Sequence, residues 1–221
     1  MKTETHSPGL RGLYAITPDW HDSGRLLAAT AAILDAGCRV LQYRNKPAAS
    51  ALRRQQAVAL RSLTRQYDAR LIINDDLDLA LFCGADGVHL GEDDGQLATA
   101  RARLDAAGPG RILGASCYQS LALARAAAIA GADYLAFGSF FASPTKPQAK
   151  RAEPALLAAA KQETGLAVCA IGGIDVANAG GLIAAGADLL AVISALYDAP
   201  DPGRASLEFN LFFQAPLKEP A

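Results

Sequence analysis

Residues 167–194 read AVCAIGGIDVANAGGLIAAGADLLAVIS, and this stretch decides the fold. Ala167 to Gly172 is a short β-type run, the Ala-rich segment behind it closes on Gly186-Ala187-Asp188, and a second β-type run spans Leu189 to Ser194. A strand followed by a helix, repeated along the chain, requires parallel pairing. The same Gly-Ala-Asp closure stands at Gly84 to Asp86 and at Gly131 to Asp133, each time between an Ala-rich stretch and a β-type run. Glycine there suits the left-handed cap of a helix C-terminus.

Outward from this unit, six further β-type runs occur: Leu13 to Thr17, Arg39 to Arg44, Leu71 to Asn74, Gly87 to Leu90, Arg111 to Ser116 and Tyr134 to Gly138. Between them apolar residues fall at helical spacing, as in Leu26, Leu27, Ile33 and Leu34, then Leu52, Ala59, Leu60, Leu63 and Tyr67. Eight βα units in 221 residues predict an α/β protein, a single compact (β/α)8 TIM barrel. An open doubly wound sheet is the alternative, but it usually has fewer strands and a Gly-x-Gly-x-x-Gly turn after its first strand. Here that turn reads Thr17-Pro18-Asp19-Trp20. Residues 1–10 are expected to form a flexible N-terminal arm, 11–214 the catalytic barrel and 215–221 a tail, with Leu207 to Phe213 as the last helix.

A hydrophobic content of 51% with 19% charged residues excludes disorder. The net charge of -1 offers no long-range field for nucleic acid or an anionic membrane, so an anion must be caught by a local cluster. The polar start and the lack of a long apolar run predict neither a signal peptide nor a spanning helix, and hence a cytoplasmic address. Cys38, Cys83, Cys117 and Cys169 form no Cys-x-x-Cys pair and read as buried thiols. His6, His21 and His89 are isolated in sequence, and His89 reads as packed and hydrogen-bonded rather than as a base.

Barrel chemistry sits at the C-terminal ends of the strands. The second strand ends Gln42-Tyr43-Arg44-Asn45-Lys46, and period-2 alternation puts Gln42, Arg44 and Lys46 on one face, opposite Leu41 and Tyr43. Two cations and an amide on one face suit a polyanion. The third strand ends Asn74-Asp75-Asp76 and the fourth runs through His89 to Glu92-Asp93-Asp94. Oxygen ligands of this kind favour Mg2+, while helix N-capping by Asp75 or Asp94 is the competing reading. Ser116 ends the fifth strand. Ser143-Pro144-Thr145-Lys146 follows the sixth as a phosphate loop or a plain surface loop, and Gly172-Gly173 and Ile193-Ser194 end the last two strands, the usual barrel phosphate position.

In order along the chain, Gln42-x-Arg44-x-Lys46, Asn74-Asp75, His89-Leu90-Gly91-x-x-Asp94, Ser143-x-Thr145-Lys146, Ile171-Gly172-Gly173-Ile174 and Ile193-Ser194-Ala195 resemble the thiamine phosphate synthase family. The resemblance runs from about Leu13 to Leu196, departing where Ser143 replaces a commoner threonine and Ala142 a frequent proline. It implies a transferase that couples 4-amino-2-methyl-5-(diphosphooxymethyl)pyrimidine to 4-methyl-5-(2-phosphooxyethyl)thiazole and releases pyrophosphate. Gln42 to Lys46, including Tyr43 and Asn45, with Asn74, Ser116 and Lys146, would then hold the pyrimidine diphosphate. Ser143, Pro144, Thr145, Gly173, Ile193 and Ser194 would hold the thiazole phosphate, and Asp75 and Asp94 would hold Mg2+. Catalytic roles would fall to Arg44, Lys46, Ser116 and Lys146. The resemblance also leaves room for a homo-oligomer. A thiazole tautomerase on the same barrel, or a non-catalytic phosphate-ligand-binding barrel, are the alternative functions.

Overall fold

The computed structural model describes residues 10–92, 95–142 and 151–214. The chain alternates β1 (Gly12–Ile16), α1 (Ser23–Asp35), β2 (Val40–Tyr43), α2 (Ser50–Gln66), β3 (Arg70–Asn74), α3 (Leu77–Cys83), β4 (Gly87–Leu90) and α4 (Leu97–Ala106). It continues through β5 (Ile112–Tyr118), α5 (Leu121–Ile129), β6 (Tyr134–Gly138), α6 (Ala155–Thr164), β7 (Ala167–Ile171), α7 (Val176–Ala184), β8 (Leu189–Val192), α8 (Ser194–Tyr197) and α9 (Pro202–Gln214). The strands close in chain order into a parallel barrel, with β1 pairing β8. This is the expected (β/α)8 barrel. No helix among the described residues is long and apolar enough to cross a membrane.

Alternation along each strand separates two cores. Leu13, Ala15, Leu41, Tyr43, Leu71, Ile73, Val88, Leu90, Leu135 and Phe137 belong to the larger one, shared with the helices. Their neighbours Tyr14, Ile16, Val40, Ile72, Tyr134, Cys169 and Leu189 fill the barrel itself. Burying each large side chain stabilises the fold by roughly 1.5–3 kcal/mol. Two aromatic rings inside a small barrel need space, and glycine supplies it: a Cβ on Gly114 would overlap the ring and hydroxyl of Tyr134. Gly114→Ala is therefore expected to lower stability by about 1–3 kcal/mol, read from urea unfolding. An unchanged midpoint would show that the interior can repack around it.

The Gly-Ala-Asp repeats have a further role at the opposite end. Gly84, Gly131 and Gly186 take positive φ of 64°, 88° and 105°, as expected of helix ends. The aspartate after each also braces the barrel. Asp86 Oδ2 accepts the Leu71 N–H at 2.7 Å and pairs with Arg61 at 2.6 Å. Asp133 does the same for the Leu113 N–H and Arg101, and Asp188 for the Val168 N–H and Lys161. Each carboxylate thus ties the start of one strand to the next and to a flanking helix.

The last helix is longer than Leu207 to Phe213. Proline is tolerated in a first helical turn, and Asp201 accepts the Arg204 N–H at 3.0 Å, so α9 starts at Pro202. Phe209 is buried, while Ser206 and Asn210 hydrogen-bond to carbonyls of Ile33 and Ala36. Helix α9 therefore occupies the eighth place in the outer ring, and α8 is an extra turn at the end of β8.

Candidate active site

At the end of β2 the two cations are held by acids from neighbouring loops. The Arg44 guanidinium pairs with both oxygens of Asp19, at 3.0 and 2.8 Å, and the Arg44 backbone N–H and C=O both bond to the Thr17 hydroxyl. Asp19 also accepts the Lys46 backbone N–H at 3.0 Å. The Lys46 ammonium reaches Asp75 at 2.8 Å and is itself 57% exposed, so it moves more freely than Arg44 at 20%. Asp19 is a site residue that the sequence reading missed. Its only signal was an acid directly after the first strand.

The segment from Gln42 to Lys46 does not act as one unit. Tyr43 turns outward, is buried under α2, and donates its hydroxyl to Gln56 Oε1 at 2.8 Å. Burial pushes that phenol up to about 12. Asn45 is also buried, and its amide donates to the Trp20 carbonyl and to Gln56, joining the first two loops. Strand alternation sends the Tyr43 side chain outward and loop tethering engages the Asn45 NH2 group, while Asn45 Oδ1 is buried without a hydrogen-bond partner among the described residues. Gln42 faces inward and donates to the Tyr14 hydroxyl at 2.8 Å.

At the end of β3 the helix cap is supplied by the second of the two acids. Asp76, not Asp75, caps α3, accepting the Leu79 N–H at 2.8 Å. Asp75 takes a left-handed φ of 63°, which aspartate tolerates better than most side chains, and its carboxylate lies beside Lys46. Among the described residues, helix α4 begins from Gln96, whose own side chain makes no capping hydrogen bond. Asp94 lies outside the described residues, as do Ser143, Pro144, Thr145 and Lys146. Among the described residues no three acidic, histidine or cysteine side chains converge on one point. Asp75 alone is a fitting contribution to a Mg2+ site, which takes one or two carboxylates and completes its shell with water and substrate phosphate oxygens.

Asn74 ends β3 in register with His89 of β4. His89 is buried, with Nδ1 at 2.9 Å from the Tyr134 hydroxyl and Nε2 at 2.9 Å from Ser116 Oγ. Burial lowers its pKa to about 4 against a weaker opposing effect of Asp75, so the ring is neutral at pH 7. The unfolded chain then binds the extra proton between pH 6.5 and about 4, and stability falls as pH falls through that window. The wild type is expected to lose up to about 3 kcal/mol across it, by urea unfolding. His89→Gln should show a shallower slope, and equal slopes would remove His89 as the cause.

On the far side, Gly172 and Gly173 take φ of 106° and 63°. A Cβ on either would overlap the loop after β6, which hydrogen-bonds back through Phe140 to Ile171 and through Phe141 to Gly172. Glycine at these two positions serves loop-to-loop contact, a reason the sequence reading did not give. Ile193 and Ser194 open α8 directly after β8, as a barrel phosphate site requires. The four cysteines are unpaired, and burial raises each thiol pKa, that of Cys117 to about 12. They are packing residues.

Comparison with known proteins identifies the family. The family model described as thiamine monophosphate synthase matches residues 13–196. A thiamine-phosphate synthase of Thiobacillus denitrificans is 55% identical over 208 residues, 94% of this chain and 97% of that protein. One from Methylobacillus flagellatus is 53% identical over 93% of this chain and 97% of its own length. The solved thiamine phosphate pyrophosphorylase of Pyrococcus furiosus superposes with a TM-score of 0.81 at 33% identity, covering 92% of this chain and 96% of its own. A 3-hexulose-6-phosphate synthase, at 18% identity and a TM-score of 0.69, shares the fold alone. The chain therefore belongs to the thiamine monophosphate synthase family of transferases.

Proposed function

We propose that this enzyme joins 4-amino-2-methyl-5-(diphosphooxymethyl)pyrimidine to 4-methyl-5-(2-phosphooxyethyl)thiazole, giving thiamine phosphate and pyrophosphate. The observation that carries the reading is the pair of cations at the end of β2, Arg44 and Lys46, with the Asp75 carboxylate 2.8 Å from the Lys46 ammonium. Arg44 and Lys46 bind the diphosphate, and Lys146 joins them. The C–O bond to the diphosphate breaks first and its electron pair leaves with the pyrophosphate. The thiazole nitrogen then supplies the pair that forms the new C–N bond to the pyrimidine methylene.

No proton has to be removed, and the described site has no evident base: the neutral His89 ring has both nitrogens in hydrogen bonds. What catalysis requires is stabilisation of negative charge growing on the leaving group, which fixed cations supply. Asp75 and Asp94 would hold Mg2+, whose charge when bound would favour the same departure. Thiazole phosphate would be held by Ser143, Pro144, Thr145, Gly173, Ile193 and Ser194 beside the point where the methylene cation forms.

The test is pyrophosphate release and thiamine phosphate formation from the two purified substrates with Mg2+ present. Product is expected only when both are supplied. Folded protein that binds either substrate but releases no pyrophosphate would overturn the reading.

A further inference from the structure

Five polar side chains from five strands form one continuous hydrogen-bonded chain across the barrel interior. It runs from Gln42 Nε2 to Tyr14 Oη at 2.8 Å, to Tyr134 Oη at 2.7 Å, to His89 Nδ1 at 2.9 Å, and from His89 Nε2 to Ser116 Oγ at 2.9 Å. The members up to His89 are buried, and Ser116 stands at the half-exposed end. The rings are locked by packing: Tyr14 meets Tyr134 edge-on at 5.8 Å, and His89 stacks on Tyr134 at 5.5 Å. Its two ends are residues that the synthase reading assigns to the pyrimidine diphosphate.

Donor counting gives this chain a direction. The Gln42 NH2 group only donates, so the Tyr14 oxygen accepts from it and the Tyr14 hydrogen goes to Tyr134. The Tyr134 hydrogen goes in turn to His89 Nδ1, which must be bare. A neutral ring then carries its proton on Nε2 and donates to the Ser116 oxygen. The hydrogen left over is that of Ser116, the partly exposed member, and it is the one the chain leaves for a ligand. The opposite polarity would set the Tyr14 hydrogen against the Gln42 NH2 within 2.8 Å, leaving a buried donor unsatisfied.

We propose that Tyr14, Tyr134 and His89 are positioning residues that, by this directed relay, hold Ser116 as a hydrogen-bond donor toward the pyrimidine diphosphate. The inference rests on the synthase reading for what Ser116 touches, but not for the polarity of the relay. Aligned donors in such a chain polarise one another, so the terminal hydroxyl is a better donor than an isolated serine. In this arrangement the neutral histidine transmits orientation and moves no proton.

The first test reads the relay without activity. In full-length protein labelled with 15N-histidine, nitrogen NMR is expected to show His89 protonated at Nε2 and bare at Nδ1. A ring protonated at Nδ1 overturns the proposal, whether or not the chain makes thiamine phosphate. The second test is a double-mutant cycle. Tyr134→Phe should lower kcat by on the order of tenfold in the wild type and by less than about twofold in a Ser116→Ala background, because its effect passes through Ser116. An equal fall in both backgrounds would mean that the tyrosine supports only the fold. If Tyr134→Phe does not fold, Tyr14→Phe takes its place in the same cycle. Absence of product from the folded wild type would sink the synthase reading and leave the tautomer result to decide the relay.

Discussion

Removing divalent metal with EDTA is expected to lower pyrophosphate release by about 10³-fold or more, and Mg2+ added back should restore it. In the proposed reaction the leaving group carries most of the developing charge, and the side-chain cations at the barrel mouth offset only part of it. The carboxylate chemistry of the site supports the expectation. Asp76 takes over the capping of α3, so Asp75 stays at the mouth beside Lys46. Its pairing with Lys46 does not exclude a metal ligand, because the lysine is more than half exposed and can turn toward the diphosphate. Asp75→Asn keeps the size and loses the charge, and should raise the Mg2+ concentration needed for half-maximal turnover. Turnover unaffected by EDTA would leave the cations as the whole electrostatic apparatus.

The parts of this site that were legible in sequence are those set by one strand at a time. Alternation separates Gln42, which faces inward, from Tyr43, which turns outward, and the Gly-Ala-Asp closures mark where helices end. What the sequence hid depends on more than one strand. Tyr14 and Tyr134 look like packing residues in their own strands, and only barrel closure brings their hydroxyls to 2.7 Å. The roles of Asp86, Asp133 and Asp188 need the preceding strand's N–H to be in reach. Of the adjacent acids Asp75 and Asp76, either could cap a helix on composition, and the left-handed turn at Asp75 decides between them. The side-chain partners of Tyr43 and Asn45, Gln56 and the Trp20 carbonyl, lie on another helix and loop and cannot be read from the strand alone.

Arg44→Ala is expected to lower turnover by about 10²–10³-fold, and Arg44→Lys to recover only a minor part of it. The reason is the clamp around this residue. Thr17 fixes its backbone on both sides, Asp19 fixes its guanidinium, and only a fifth of the side chain is exposed. A preorganised fork can meet two phosphate oxygens in a planar, bidentate contact with little further loss of freedom, which a lysine cannot do. Lys46 holds its ammonium by a single ion pair to Asp75 and is 57% exposed, so Lys46→Ala should cost less than Arg44→Ala. Asp19→Asn separates charge from placement: it leaves Arg44 in place but loosens the fork, and should raise KM for the pyrimidine diphosphate more than it lowers kcat. Steady-state kinetics on the four variants checks the order. Should Arg44→Lys turn over at the wild-type rate, a point charge would suffice at this position, and the clamp would belong to the architecture of the loop rather than to recognition of the diphosphate.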